Sequence, residues 1–249
     1  MATTMPTSMA TGTMLTLMSV ASGCMDILSY VLLGQVFTSA MTGNAALLGL
    51  GIGQGNLVAM SRNLAAFLAF LSGLLLGALL LRWTRGKSGQ LGQVTTALLL
   101  ESVLLVVFAW FWHVGAGPST DEKLYSLIAL SAVAMGVQSA VAQRLGVPGI
   151  TTTYFTGTIT TLAIAIVGNG IAQRRPDQFW WPMLAFLAYL LGAALTGYLL
   201  LPDAPAPTPI PGLGLPALPA LLVALAVLIS LMRTDTLIRQ ATSAGTPGA

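Results

Sequence analysis

The chain has 249 residues, of which 55% are hydrophobic and only 7% charged, and its mean hydropathy is +0.85. A soluble domain carries roughly 25% charged residues, so the composition excludes a soluble fold and leaves no room for an appended soluble domain of common size. The net charge of +3 comes from ten Lys and Arg residues; they fall at the ends of apolar runs and read as orientation signals for a membrane protein, not as a nucleic-acid surface.

Residues 1–12 form a tail with Met and Thr but none of the Lys or Arg that opens a secretory leader. The next stretch, Thr13 to Gly34, is apolar except for small polar groups and Asp26, and is long enough to cross a roughly 30 Å hydrocarbon core. Val36 to Gly53 follows at once. It stays polar up to Asn44, and its apolar part, Ala45 to Ile52, is too short to span, so it reads as a re-entrant or broken helix. After the turn at Gly53 to Asn56, Ser61 to Leu81 is the second spanning helix. Its Gly73 and Gly77 form a small-xxx-small pair that serves either packing within the chain or a homodimer. Leu91 to Trp112 is the third, with Glu101 near its centre and Trp110 and Trp112 at its far end.

Residues 113–123 connect two halves. Leu124 to Gln143 is the fourth spanning helix; Ile150 to Val167, with seven threonines, is the second short segment; Phe179 to Leu201 is the fifth spanning helix. A proline-rich connector, Pro202 to Pro216, is expected to be extended. A short sixth helix, Ala217 to Met232, precedes a polar tail at 233–249.

The halves share a pattern. Thr38-Ser-Ala-Met-Thr-Gly-Asn44 returns as Thr152-Thr-Tyr-Phe-Thr-Gly-Thr158, 114 positions later, and the same offset brings Leu48 onto Leu162 and Ile52 onto Ile166. Matching interruptions in two halves of a membrane protein point to a binding site between them. Basic residues choose the topology. With six spans, one face collects Arg82, Arg85, Lys87, Arg144, Arg174, Arg175, Arg233 and Arg239 against Arg62 and Lys123 on the other. With eight spans the split is closer to even. The positive-inside rule favours six and puts both termini in the cytoplasm. Three spans per half then make the second half an inverted copy. The predicted fold is an all-α membrane protein: six transmembrane helices plus two short re-entrant or broken helices, as two inverted-topology repeats over 13–112 and 124–232.

Asp26 and Glu101 fall near the membrane midplane, where a carboxyl pairs, meets water or holds a proton, and is a functional candidate by default. Both are candidates for proton coupling; the alternative role is a hydrogen bond between helices. In the two Thr-Gly elements, Thr42 and Thr156 could cap helices that begin inside the membrane, with Gly43 and Gly157 admitting a ligand to the backbone. Alternatively their hydroxyls only satisfy the broken backbone. Thr38, Asn44, Gln138, Thr152, Tyr154 and Thr158 add neutral donors and acceptors around a candidate solute site. Neither short segment holds a basic residue, so a neutral, zwitterionic or small singly charged solute fits better than a strong anion.

Catalytic readings find no support in the sequence. His113 is the only histidine, at a helix end, and Cys24 is the only cysteine, in an apolar run where it reads as a packing residue. No metal cluster, Ser/His pair, cofactor loop or phosphate loop follows from such a set.

Gly23 to Asp26 with Ser29-Tyr30, Val36-Phe37, Met41 to Asn44, Gly136 to Gln138, Thr152 to Tyr154 and Thr156-Gly157 resemble the YoaK-like family of bacterial membrane proteins, DUF1275, from about Ser19 to Met232. The resemblance implies a multi-pass protein of the bacterial inner membrane and brings no activity or catalytic residue with it. Where an amide pair such as Gln-Asn is expected, this chain reads Gln138-Ser139-Ala140. Three functional expectations follow: a small secondary transporter or permease for an unidentified small solute, proton-coupled through Asp26 or Glu101; a non-transporting accessory subunit of a membrane complex; or a channel.

Overall fold

The computed structural model describes residues 9–85, 90–114, 117–145, 176–201 and 217–244. Its elements are α1 (Met9–Leu32), α2 (Met41–Gln54), α3 (Leu57–Trp83), α4 (Gln90–His113), α5 (Asp121–Leu145), α6 (Pro176–Leu199) and α7 (Leu218–Ala244). Among the described residues, α1, α3, α4, α5 and α6 are long and apolar enough to cross a membrane, and the apolar part of α7 is Leu218–Ile229. The second Thr-rich segment, 150–167, and the proline-rich connector, 202–216, lie outside the described residues.

Two expectations about element ends are corrected. The last helix continues to Ala244, where a polar tail from Arg233 was expected. Polarity ends membrane burial but not backbone hydrogen bonding, and no Gly or Pro interrupts residues 220–244. The turn falls within the expected Gly53 to Asn56, but α3 begins at Leu57, where a start at Ser61 was expected. Gly55 takes a left-handed conformation (φ 63°), its neighbour's N–H returns to the Gly51 carbonyl, and the Asn56 side chain accepts from Ala59 N at 3.1 Å to start α3.

α1 and α5 form the centre. Met14, Leu15, Met18, Ala21, Met25 and Leu28 bury α1 on most of its circumference, and Leu127, Ile128, Ala134, Met135, Val137 and Val141 do the same for α5. α6 packs along α1 and α3 along α5; α7 lies on α1 and α4 on α5, while α4 and α7 meet each other. The outer helices turn large apolar side chains outward, among them Leu68, Leu71, Leu75 and Leu79 on α3 and Leu187, Leu190 and Leu191 on α6. A continuous stripe of this kind needs hydrocarbon, not water, beside it.

The close approach of these helices rests on glycine. A Cβ on Gly23 would overlap the Tyr189 carbonyl oxygen of α6, and one on Gly192 would overlap that of Val20 on α1. Across α5 and α3 the arrangement repeats: a Cβ on Gly136 meets the Phe70 carbonyl, and one on Gly73 meets that of Val133. Gly77 sits in the same seam, 2.8 Å from the Ala140 Cβ by the same construction. The Gly73/Gly77 pair therefore serves packing within one chain, with α5 in the groove that a second copy would need.

α1 and α5 run in opposite directions. Leu32 and Gly34 at the end of α1 share one recess with Asp121 and Leu124 at the start of α5 and with Arg62 near the start of α3. α1 therefore ends on the side of the bundle where α3 begins, and the residues between them leave that side and come back.

Candidate functional site

The first short segment is built around Asp26. The carboxylate is fully buried and takes four hydrogen bonds: from Thr38 N (2.9 Å) and Ser39 N (2.7 Å) on Oδ1, and from Ser39 Oγ (2.6 Å) and Tyr189 Oη (2.8 Å) on Oδ2. Both oxygens are used and every partner donates, which suits an ionised carboxylate and compensates its removal from water. Asp26 stands about 9 Å below the end of α1 on the helical rise, so the residues 33–40 fold back along α1 to reach it. Gly34 and Gln35 make that reversal with φ of 81° and 64°. α2 begins at Met41, beside this knot, and its 14 residues carry the chain about 21 Å back toward α3.

Asn44 closes the knot. Its side-chain amide accepts from Phe37 N at 2.8 Å and donates to Phe37 O at 2.6 Å, pairing one residue's backbone as a strand neighbour would. Phe37 stacks on Tyr30 with ring centroids 5.0 Å apart. On its other side it covers Gly43, where an added Cβ would lie 2.8 Å from the ring. The glycine thus makes room for a protein ring. The capping role expected of Thr42 is corrected. The residue ahead of α2 is Ala40, with no side-chain cap, and Thr42 is exposed on the first turn. Asp26 instead anchors Thr38 and Ser39, the residues just ahead of the α2 N-cap.

Gln138 lies deeper, on α5. Its Nε2 donates to Met18 O and Ser22 Oγ, both at 2.8 Å, about two turns and one turn along α1 from Asp26. Among the described residues its Oε1 is buried without a partner, as is Thr38 Oγ1. Glu101 is the opposite of Asp26. It sits on the buried face of α4 with Val94, Ala97, Leu98, Leu105 and Phe108, and both carboxyl oxygens are buried with no hydrogen-bond partner among the described residues. Exposed Leu99, Val103, Val106 and Trp110 mark the other face of α4, so Glu101 points into the bundle. Thr152, Tyr154, Thr156, Gly157 and Thr158 lie outside the described residues.

The structure therefore brings Asp26, Thr38, Gly43 and Asn44 into one knot, ties Gln138 to the same helix about one to two turns away, leaves Thr42 outside, and places Glu101 on a separate helix. The sequence reading missed Ser39 and Tyr189. Ser39 was partly legible, since a buried carboxylate needs donors and Ser39 lies in the polar segment that follows its helix. Tyr189 was not, because 163 residues separate it from Asp26. Cys24 packs as expected, with Sγ 3.4 Å from the Gly192 carbonyl at the helix crossing. Among the described residues no three His, Cys, Asp or Glu side chains gather as a metal site.

A bundle of long apolar helices, with the mid-helix carboxyls Asp26 and Glu101 turned inward and stripes of leucine outward, defines a polytopic α-helical membrane protein. Its matches agree. Residues 14–228 match the family model described as protein of unknown function (DUF1275), and the chain belongs to that family. It is similar to the UPF0700 transmembrane protein YoaK of Bacillus subtilis (strain 168), at 34% identity over 190 residues, which cover 74% of this chain and 81% of that protein. No solved structure matches.

Proposed function

We propose that the protein is a small secondary transporter or permease of the bacterial inner membrane, with both termini in the cytoplasm and a proton carried by Glu101. One observation carries this reading: a carboxyl group at the middle of a membrane helix, aimed into the bundle, with neither oxygen hydrogen-bonded among the described residues. A carboxyl kept only for packing would be expected to hold at least one interhelical hydrogen bond. Leaving a buried polar group unpaired costs about 1–3 kcal/mol, and a membrane carboxyl retained without such a bond is a functional candidate. The division of labour between the two acids follows. Asp26 holds the fold of the first short segment, and Glu101 is the group with capacity to spare.

The architecture supports the same reading. The first short segment enters beside α1 and leaves toward α3 on one side, as a re-entrant element does. The two glycine crossings exchange when α1 and α6 are swapped for α5 and α3, and α1 and α5 are antiparallel. These are relations that an inverted repeat of three spans per half produces. The solute site then lies between the two Thr-Gly elements. Thr38, Asn44 and Gln138 supply polar groups from the described residues; Thr152, Tyr154, Thr156, Gly157 and Thr158, which lie outside the described residues, are the proposed counterparts in the second element. The absence of basic residues from both segments favours a neutral, zwitterionic or small singly charged solute. A second reading, an accessory subunit of a membrane complex, draws on the Asp26 knot, whose carboxylate, amide and glycine are all used by the protein itself.

The test is uptake by reconstituted protein, across a panel of small solutes, with and without an inward proton gradient. Glu101→Gln is expected to abolish the response to the gradient, at least tenfold at saturating solute, while leaving the melting temperature within a few degrees of wild type. Transport whose pH dependence survives Glu101→Gln and Asp26→Asn together removes the proton role. A panel with no flux and no thermal shift, alongside a stoichiometric partner in purification, selects the accessory reading.

A further inference from the structure

At the end of the bundle where α1 stops and α3 and α5 begin, an open recess of about 520 Å³ is lined by Leu32, Gly34, Arg62, Ser119, Thr120 and Asp121 among others. Among the described residues no hydrogen bond or ion pair engages the Arg62 guanidinium or the Asp121 carboxylate. The two opposite charges line the same recess and do not neutralise one another. Arg62 is half-buried and its Nε is buried and unpartnered. The guanidinium lies over Gly34, where an added Cβ would come within 2.7 Å of Nη1 and 3.0 Å of Cδ. The absence of a side chain at Gly34, itself held at φ 81°, leaves room for this placement.

Five N–H donors in a planar fork match the oxygens of a carboxylate or phosphate, and a partly desolvated fork with no acceptor lacks what its geometry suits. The opposite wall adds the N-terminus of a 25-residue helix. Thr120 accepts from Lys123 N through Oγ1 (3.3 Å) and from Leu124 N through its carbonyl (2.9 Å). That leaves the first N–H groups of α5 at the recess. A bare anion meets repulsion there, because Asp121 carries a negative charge on the same wall. A ligand with an oxyanion at one end and an ammonium a few ångströms away satisfies both residues at once.

We propose that this recess binds a zwitterion, with the oxyanion on Arg62 and the ammonium on Asp121. The recess opens where three helices end, at the level of the membrane surface, so the same chemistry reaches it from two sources. One is the headgroup of an aminophospholipid; the other is a free amino acid or phosphoamine in the adjoining aqueous phase. The site is separate from Glu101 and from the Asp26 knot, and its occupation does not depend on transport.

Phosphoethanolamine and ethyl phosphate, which differ by the ammonium group, are the probes for calorimetric titration of the delipidated full chain. Phosphoethanolamine is expected to bind about tenfold more tightly, the effect of roughly 1.4 kcal/mol from one ion pair at a partly exposed site. Asp121→Asn, at an exposed position that carries no packing, is expected to abolish the preference. Arg62→Gln is expected to weaken both probes tenfold or more, and Arg82→Gln, at the far end of α3, to change neither. Native mass spectrometry from nanodiscs separates the sources. Selective retention of phosphatidylethanolamine over phosphatidylglycerol, lost in Arg62→Gln, assigns the recess to lipid. Binding of free phosphoethanolamine without lipid selectivity assigns it to a soluble zwitterion. Equal binding of the two probes that Asp121→Asn leaves unchanged, or no binding of either probe and no lipid preference, overturns the proposal. The Asp121→Asn comparison decides the matter if Arg62→Gln does not fold.

Discussion

Replacing Gly136 by Val is expected to prevent the chain from reaching its folded state, and Gly73→Val, Gly23→Val and Gly192→Val are expected to do the same. At each position the first added carbon would fall on a backbone carbonyl of the neighbouring helix, not on a side chain that can rotate away. Overpacking of a core that can adjust costs 1–3 kcal/mol. Here two helices must separate along the seam, so even Gly→Ala is expected to cost about 3 kcal/mol or more, a large part of a typical folding free energy. Because the contacts are reciprocal, Gly136→Ala and Gly73→Ala together should cost less than the sum of the two: once the helices have parted, the second methyl adds little. Gly197, with nothing within 4 Å of an added Cβ, is the control; its replacement by Ala should be neutral or stabilise α6 by roughly 0.5–1 kcal/mol. The yield of monodisperse protein in detergent and denaturant unfolding in mixed micelles measure both. A Gly136→Ala protein that unfolds at the wild-type midpoint is incompatible with the helix crossing described.

The second large effect is expected at Asp26. In Asp26→Ala, two backbone N–H groups and two hydroxyls lose their shared acceptor. Membrane hydrogen bonds between helices average about 0.6 kcal/mol in direct measurement, but orphaned buried donors cost more, about 1–3 kcal/mol each. Four donors, two with no freedom to rotate, give a loss on the order of 2–5 kcal/mol. Asp26→Asn keeps one oxygen for Thr38 N and Ser39 N, and its new amide faces hydroxyls that can turn to accept. Its cost is expected to be about 1 kcal/mol. Tyr189→Phe removes the bond to Oδ2 and should cost about as much. In a double-mutant cycle Tyr189→Phe should cost less in the Asp26→Ala background than in the wild type. Equal and negligible destabilisation by Ala and Asn would show that the carboxylate does not hold the turn.

Much of this was legible in the sequence, for reasons that differ from element to element. The five long helices announce themselves because the bilayer demands about twenty apolar residues in a row, a signal that needs no tertiary information. The short α2 was legible because Ala45 to Ile52 fails that demand, and Gly55 and Asn56 mark its end with standard turn chemistry. The first Thr-Gly drew attention to a buried polar knot, but the contacts within it could not be read from the sequence. Whether Gly43 faces a solute or a phenyl ring depends on where Phe37 folds, and that is set by Asp26 and Asn44 acting from a distance. Asp26 and Glu101 looked alike, two acids near the midplane, and only the positions of Ser39 and Tyr189 separate the bonded one from the unbonded one. Helix α7 was cut short for a further reason: hydropathy measures where lipid ends, not where a helix does.

The centrality of α1 has a consequence for biogenesis. Its inward-facing Asp26, Ser19, Ser22 and Ser29 make it less hydrophobic than α3. Yet its main neighbours are α6 and α7, which leave the ribosome long after it. A helix carrying a carboxylate must therefore wait, through the synthesis of four others, for the tyrosine that will complete its coordination. During that interval the nascent chain depends on the insertion machinery, or on transient partners within its own first half, to shelter an acid from the oil around it.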